Sequence, residues 1–294
     1  MLSSSSKESS SRKELVPFFS VALVAGIVII GALFCTPTNS ALTGWDQSVS
    51  QVDAGDYPAV TPVSLQGLLA PGTVAQKKSR FFALLKPMVE IENAHIATQR
   101  EWLKELDVSQ LTEPQQKTLI TLLQRYNVIN TSHKAYQLPG SSKQKQALVN
   151  QLMRHVAPIP IELVLVQAAN ESAWGRSRFA QQGNNLFGQW CFSQGCGLVP
   201  KQRPEGQYHE VAAFRSPQLS IRAYLQNLNG FSAYEKLRVA RAQRPDLTGA
   251  EQALYLANYL GRYSQRGQAY VDELKAMIKS NKALIESVSA ENLQ

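Results

Sequence analysis

The segment 158–189, PIPIELVLVQAANESAWGRSRFAQQGNNLFGQ, contains the signals that decide the fold. Pro160 fits the first position of a helix, where its missing N–H costs nothing. Residues 161–174 contain no Gly or Pro, and Gly175 follows as a typical C-terminal residue. The β-branched run 161–166 is by itself compatible with a strand, but the uninterrupted length and the two end signals predict a helix. A helix that is apolar on almost every face belongs in a core.

Glu171 stands near the predicted end of this helix, among apolar neighbours. A carboxylate is disfavoured there by the helix dipole and by apolar surroundings, and Trp174, three residues on, is predicted to share its face. Both effects raise the pKa of a carboxyl group. The position therefore favours a general acid that works near neutral pH.

The letters Q-A-A-N-E-S-A-W-G-R-S at 167–177 and N-N-L-F-G at 184–188 resemble the motifs of the glucosaminidase family of peptidoglycan hydrolases. The resemblance implies a mainly α fold, with a lysozyme-like helical core and a small β-hairpin lobe. It implies an endo-β-N-acetylglucosaminidase that hydrolyses the GlcNAc-β-1,4-MurNAc bond of peptidoglycan, with Glu171 as general acid. It also implies substrate contacts from the other motif side chains, namely Gln167, Ser172, Trp174, Asn185 and Phe187.

Glycoside hydrolysis usually needs a second carboxylate, which acts as nucleophile or as base for water. In the family this residue, where it exists, lies in the β-lobe. Glu205 and Glu210 are the only carboxylates between Glu171 and Glu235, so both are candidates. Neither aligns with the family without a gap, and the 2-acetamido group of the substrate is an alternative nucleophile. The stereochemical outcome therefore stays open.

A second resemblance lies near the C-terminus, where Tyr263 and Tyr270 match the two tyrosines of the family element Y-A-T-D-P-x-Y. That element ends beside the cleft, which implies a catalytic role for Tyr263 and a substrate contact for Tyr270. Gln265 and Arg266 stand where the family has Thr and Asp. Two tyrosines at helix ends are equally compatible with ordinary core positions.

Residues 189–214 have strand-like composition at both ends and a turn between them, which predicts the hairpin lobe. Cys191 and Cys196 lie five residues apart in this lobe, and a disulfide between them fits an exported domain. Two free thiols are the alternative. A zinc site lacks further ligands, because His209 is the only histidine nearby, so no metal and no cofactor are predicted.

The N-terminal region predicts membrane attachment. Residues 15–35 form an uncharged run that is long enough to span a bilayer. Three positive residues precede this run, and no Lys or Arg follows it until Lys77. We expect a single pass through the inner membrane with the catalytic domain in the periplasm; cleavage of a signal peptide, with secretion to the periplasm, is the alternative. The predicted divisions are a cytoplasmic tail 1–14, the membrane helix 15–35, a linker 36–76, a helical N-terminal part 77–157, the catalytic core 158–283 and a tail 284–294.

The composition limits the partners. The chain has 30 Lys and Arg against 22 Asp and Glu, a net charge of +8, and 44% hydrophobic residues. A basic surface suits a polyanion, and peptidoglycan strands are the predicted partner. Nucleic acid is not, because no nucleic-acid module is present. A lytic transglycosylase, which shares the helical core and an E-S motif, and a catalytically silent wall-binding module remain alternatives to the hydrolase.

Overall fold

Helices make up most of the residues that the structure describes. The computed structural model describes residues 60, 63–129, 136–201, 203 and 206–288. Within these residues the helices are α1 (Val74–Glu105), α2 (Glu113–Arg125), α3 (Ser142–His155), α4 (Ile161–Glu171), α5 (Arg178–Gly183), α6 (Pro217–Gly230), α7 (Glu235–Gln243), α8 (Gly249–Ala257) and α9 (Gln268–Ser287). The strands are β1 (Trp190–Cys191), β2 (Gly197–Leu198) and β3 (Glu210–Ala212). The predicted class, mainly α with a small β-lobe, is confirmed.

Helix α4 lies at the centre of the helical part, in contact with α1, α8 and α9. All residues from Glu162 to Ala169 are buried, which includes all but the first residue of the run 161–166 that is by itself compatible with a strand. Burial of each large aliphatic side chain stabilises the fold by roughly 1.5–3 kcal/mol. Tertiary packing therefore holds this segment as a helix in spite of its β-branched composition.

Helix α1 is 32 residues long and supports both α4 and α6. Thr73 and Gln76 form a capping box at its N-terminus. Glu92, near its middle, is buried and forms an ion pair with Arg222 of α6 at 2.8 Å. Gln218 donates a further hydrogen bond of 2.7 Å to Glu92. A buried charge requires such partners, so this cluster fixes how α6 lies on α1.

The β-lobe is a three-stranded antiparallel sheet in the order β1-β3-β2. The hairpin expected from the sequence thus contains an additional strand, β2, which pairs Gly197 with Ala212. A Cβ atom at Gly197 would lie 2.0 Å from the carbonyl oxygen of Val211, so a larger residue cannot occupy this position without displacing the sheet. Cys191 and Cys196 form a disulfide in the structure, as predicted, which closes the loop between β1 and β2.

Two predicted boundaries differ from the structure. The predicted linker 36–76 includes a 3-10 helix, Leu65–Leu69, whose Leu65 and Leu68 are buried in the core. The predicted tail 284–294 overlaps the end of α9, where Ile285 is buried. Isolated apolar residues at the ends of a polar segment have no periodic pattern. Their burial is therefore visible only from their contacts in the folded protein.

The predicted N-terminal part 77–157 and the predicted core 158–283 share one hydrophobic cluster. Arg241 joins them: its buried guanidinium donates hydrogen bonds to the carbonyl oxygens of Arg154 at 3.0 Å and Ala157 at 2.9 Å. The predicted membrane helix 15–35 lies outside the described residues. Among the helices that the structure describes, none is both long and apolar enough to cross a bilayer.

The turn after α4 provides a test of the packing. Gly175 has a φ of +74°, and a Cβ atom there would lie 2.4 Å from Leu68 Cδ1. We expect Gly175→Ala to lower the free energy of unfolding by roughly 2–4 kcal/mol, from backbone strain and overpacking together. Chemical denaturation measures this loss. Gly195→Ala is the matched control, because Gly195 has a φ of +80° but a Cβ atom there would meet no atom within 4 Å apart from those of its chain neighbours. Its loss should be only about 1 kcal/mol, and equal losses would contradict the packing argument.

Candidate active site around Glu171

Glu171 is the last residue of α4, and the chain leaves the helix through a turn of left-handed residues. Residues 173–175 have φ values of 51°, 60° and 74°. Ser172 holds the turn, because its hydroxyl donates to the carbonyl oxygen of Ala168 at 2.6 Å and accepts from the Gly175 N–H at 2.7 Å. The turn fixes the position of the Glu171 backbone at the helix end.

Trp174 does not share a helical face with Glu171. The prediction that the helix continues through residue 174 is wrong, since α4 ends three residues earlier. The indole ring packs edge-on against Phe81 and Phe82 of α1, with centroids 5.4 Å apart in each pair, and Lys78 Nζ lies 5.2 Å from the indole centroid. Trp174 therefore attaches the turn to α1, and its predicted contact with substrate stays a prediction.

The carboxyl group of Glu171 is largely withdrawn from water. Burial raises its pKa from 4.5 to about 7. A hydrogen bond from Tyr270 and the positive charge of Arg266 act in the opposite direction, whereas the negative charge of Glu273 adds to the effect of burial. The prediction of a raised pKa is thus confirmed, with burial as the main cause. Near pH 7 the group is available both as an acid and as a carboxylate.

A directed chain of hydrogen bonds ends at Glu171. The hydroxyl of Tyr224 donates to Gln167 Oε1. Gln167 Nε2 donates to the Tyr270 oxygen at 2.9 Å, and the Tyr270 hydroxyl bonds to Glu171. Because the Tyr270 oxygen already accepts from an amide N–H, its own proton is directed at the Glu171 carboxyl. This donation stabilises the charged form of Glu171.

Four tyrosine rings form a buried floor under Glu171: Tyr224, Tyr234, Tyr263 and Tyr270. Tyr263 lies at the centre, with centroids 5.8 Å from Tyr270, 6.2 Å from Tyr234 and 6.3 Å from Tyr224. Burial, with the charge of Glu171 as a further cause, raises the pKa of each hydroxyl. The hydroxyls therefore stay neutral and act as hydrogen-bond donors.

Phe187 of the N-N-L-F-G motif belongs to the same floor. Its ring stacks on Tyr224 with centroids 4.0 Å apart, and its carbonyl oxygen accepts a hydrogen bond of 3.1 Å from the Tyr263 hydroxyl. Phe187 is 1% exposed. The motif thus places an aromatic ring inside the core, where it fixes the position of two of the tyrosines.

Asn185 connects the site to the β-lobe. Its amide nitrogen donates to the carbonyl oxygens of Gln189 at 2.9 Å and Ala212 at 2.8 Å. Its amide oxygen accepts from the backbone N–H groups of Phe187 and Gln189. All the hydrogen-bonding capacity of this buried side chain is used inside the protein, so Asn185 determines where β3 stands relative to the helices.

Most of the predicted substrate contacts are below the surface. The following predicted site residues are at most 2% exposed: Gln167, Ser172, Asn185, Phe187, Tyr263 and Tyr270. Their polar side-chain atoms bond to other protein groups. We interpret them as the framework that positions Glu171 and the β-lobe, with no surface left for a ligand in this structure. A sequence motif cannot distinguish a residue that supports the site from one that contacts substrate, because both roles require a fixed residue type.

The structure describes one of the two candidates for the second carboxylate, Glu210. Glu210, on β3, is 5% exposed and accepts hydrogen bonds from the backbone N–H groups of Gly195 at 3.0 Å and Gly197 at 2.8 Å, one on each oxygen. Both oxygens thus hold the disulfide loop. Glu205 lies outside the described residues, so its predicted role is not tested.

Potential metal ligands come together only in the lobe, as far as the described part of the chain is concerned. One ligand atom each of Cys191, Cys196 and Glu210 lie within 4.8 Å of one another. Because the two sulfur atoms are bonded to each other, they offer no thiolate to a metal ion. In this oxidised form the cluster does not fit a metal site.

An ion pair at the edge of the site was missed by the sequence analysis. Arg266 Nη2 lies 2.7 Å from Glu273 Oε2, and both side chains are partly exposed, at 48% and 40%. The Arg266 guanidinium lies over the ring of Tyr270, 5.4 Å from its centroid. Two signals in the sequence could have indicated this ion pair. Arg266 differs from the family pattern, and Tyr270 and Glu273 have the i, i+3 spacing of neighbours on a helix.

Two comparisons relate the chain to known proteins. The sequence profile of the family Glucosaminidase, described as Mannosyl-glycoprotein endo-beta-N-acetylglucosaminidase, matches residues 146–283. The chain is also 29% identical over 239 residues to Protein bax of Escherichia coli K12, which covers 81% of this chain and 77% of that protein. The region that contains the candidate site is therefore similar to the glucosaminidase family. No solved structure matches it, so the lysozyme-like character of the core stays a prediction.

The glucosaminidase match and the similarity to Protein bax differ in extent. The matched region 146–283 begins within α3 and ends within α9, so it contains Glu171, the tyrosine floor and the β-lobe. Helices α1 and α2 precede it. Since α1 packs against α4, the glucosaminidase region depends on a helix outside its own match.

The burial of Glu171 predicts a pH-dependent gain in stability from Glu171→Gln. Between pH 4.5 and 7 the folded state binds more protons than the unfolded state, so the free energy of unfolding of the wild type falls as pH rises. The variant lacks this loss and should be more stable by up to about 3 kcal/mol at pH 8, and nearly equal at pH 4. Denaturation at both pH values measures it.

Glu101→Gln is the control for this experiment, because Glu101 is 60% exposed in a surface ion pair with Lys104. It should change stability little at either pH. If Glu171→Gln is no more stable than wild type at pH 8, the carboxyl is not desolvated as described.

The hydrogen bond from Tyr270 predicts a second pKa effect. Tyr270→Phe removes a donor to the charged carboxylate, so the pKa of Glu171 should rise further above its ordinary value. A carbon-13 NMR titration of the Glu171 carboxyl measures the change. Tyr263→Phe is the matched control, because the Tyr263 hydroxyl donates to Phe187 and should leave the titration nearly unchanged. Equal shifts in the two variants would argue against the directed chain.

Proposed function

We propose that the chain is an endo-β-N-acetylglucosaminidase that hydrolyses the GlcNAc-β-1,4-MurNAc bond of peptidoglycan. The match of residues 146–283 to the glucosaminidase family supports a peptidoglycan-related glycoside hydrolase. The observation that carries the finer proposal is the environment of Glu171: a carboxyl group at the end of a buried helix, with a pKa raised to about 7 mainly by burial. Such a group can hold a proton at neutral pH and deliver it to a leaving oxygen.

In the proposed reaction Glu171 protonates the glycosidic oxygen as the bond to the anomeric carbon breaks. The Tyr270 hydroxyl then stabilises the carboxylate that remains, because it donates to the charged form. Gln167 and Tyr224 keep the Tyr270 proton directed at Glu171. The site thus favours the protonated form of Glu171 through burial and the charged form through the hydrogen bond from Tyr270.

The second catalytic group is open to three alternatives. Glu210 would have to give up hydrogen bonds from Gly195 or Gly197 to act on water or sugar. Glu205 remains a candidate on its position in the sequence. The engagement of both Glu210 oxygens favours the third, in which the 2-acetamido group of the substrate serves as the nucleophile.

The same observation keeps a lytic transglycosylase as the second candidate function. That reaction also needs a protonated carboxyl group at the leaving oxygen, but the attacking group is a hydroxyl of the substrate itself. A site with one available carboxylate suits both reactions. The N-N-L-F-G motif at 184–188 favours the glucosaminidase, because the transglycosylase element expected at this place is different.

We also propose that residues 15–35 attach the enzyme to the inner membrane, with the catalytic domain in the periplasm. The support is the uncharged length of this segment and the three positive residues before it. The Cys191–Cys196 disulfide fits an oxidising compartment. Release into the periplasm after signal cleavage is the alternative.

Digestion of purified peptidoglycan tests the activity. We expect soluble fragments with new N-acetylglucosamine reducing ends, identified by mass, and a loss of at least 10²-fold in rate for Glu171→Gln. Glu101→Gln should retain wild-type activity. Anhydro-muramic products would identify a transglycosylase instead. Binding to insoluble peptidoglycan with no product from the wild type would mean a silent wall-binding module.

A further inference from the structure

A positive charge stands beside the proposed general acid. The guanidinium of Arg266 lies over the ring of Tyr270, whose hydroxyl bonds to Glu171. Its side chain is 48% exposed, so the charge is at the solvent-accessible edge of the site. The neighbouring residues of the framework are buried, which leaves Arg266 as a group that an approaching ligand can touch.

The guanidinium of Arg266 has capacity for another acceptor. Its Nη2 atom pairs with Glu273 Oε2 at 2.7 Å. A guanidinium presents five N–H donors in a planar fork that fits a carboxylate with two parallel hydrogen bonds. Within the described residues no other side-chain hydrogen bond of Arg266 is present. An exposed ion pair such as that with Glu273 is weak, so a second carboxylate can share or replace it.

The chemistry of the proposed substrate brings a carboxyl group to this place. The oxygen that Glu171 would protonate is attached to C4 of N-acetylmuramic acid. The adjacent carbon, C3, carries the lactyl ether, whose carboxyl group is thus within a few bonds of the leaving oxygen. In peptide-bearing glycan this group is a neutral amide. After removal of the stem peptide it is a carboxylate.

We propose that Arg266 binds the free lactyl carboxylate of N-acetylmuramic acid, which makes the enzyme selective for glycan strands without stem peptides. The inference rests on the proposed function and names its substrate class. Glu273 holds the guanidinium against Tyr270 and so positions it. The reaction that must supply such a substrate is hydrolysis of the amide between the lactyl group and the first amino acid.

A matched pair of substrates tests the proposal. One is the tetrasaccharide of alternating N-acetylglucosamine and N-acetylmuramic acid with free lactyl carboxylates; the other is the same tetrasaccharide with the carboxyls converted to methylamides. We expect wild-type kcat/KM to be about 10- to 100-fold higher for the free acid, as one charge-assisted bidentate contact allows. Arg266→Gln should remove this preference. Because the Arg266 charge also lowers the pKa of Glu171, the quantity compared is the ratio of kcat/KM for the two substrates within each variant, not the absolute rate.

Two variants control for charge and for geometry. Arg262→Gln removes an exposed positive charge from the same loop and should keep the preference. Arg266→Lys keeps the positive charge but loses the planar fork of donors, so this variant should keep only part of the preference for the free acid. Calorimetry on the inactive Glu171→Gln variant should show tighter binding of the free-acid tetrasaccharide than of the methylamide. The double variant that carries both Glu171→Gln and Arg266→Gln should bind the two tetrasaccharides equally.

The outcomes separate this inference from the proposed function. If wild type hydrolyses both substrates equally, or if Arg266→Gln keeps the preference, then Arg266 does not recognise the carboxylate and the glucosaminidase proposal stands. If wild type hydrolyses neither tetrasaccharide nor peptidoglycan, the proposed function fails and this inference fails with it. Loss of the preference in Arg262→Gln as well would mean a general effect of charge and would also overturn the specific contact.

Discussion

The candidate active site depends on the placement of one carboxyl group, that of Glu171, at the end of an apolar helix. Removing a carboxylate from water is costly, and the cost appears as a pKa raised to about 7. The surrounding elements all act on this group. Ser172 fixes the turn that follows, and Tyr270 donates to the carboxyl. A less rigid frame would let water reach Glu171 and would return its pKa toward the ordinary value.

The framework is distributed over distant parts of the chain. The floor under Glu171 contains Tyr224 from α6 and Tyr270 from α9, and Phe187 from the loop before the β-lobe stacks on Tyr224. Asn185 then ties this loop to β3. Because each contact joins a different element, the geometry of the carboxyl and the position of the lobe are coupled: a change that moves the loop moves both.

The other charged residues near the site fall into two groups. Glu210 uses both oxygens to hold the disulfide loop, so its charge is engaged within the lobe. Arg266 and Glu273 are partly exposed and act on Glu171 from the solvent side, where their charges have opposite effects on its pKa. The first group maintains the shape of the site, and the second group is available to a ligand.

The sequence by itself predicted the helical class, the central helix and the position and raised pKa of Glu171, and it favoured a disulfide over two free thiols for Cys191 and Cys196. These follow from local signals: an apolar run bounded by Pro160 and Gly175, a carboxyl group near its C-terminal end, and two cysteines five residues apart. The tertiary structure alone decided that Trp174 faces α1, that the helix ends at Glu171, and that the motif residues Gln167 and Asn185 are internal supports. It also brought Arg266 and Glu273 to the site. The physical reason is that contacts between residues far apart in the chain, such as Gln167 with Tyr270, leave no periodic trace in either segment.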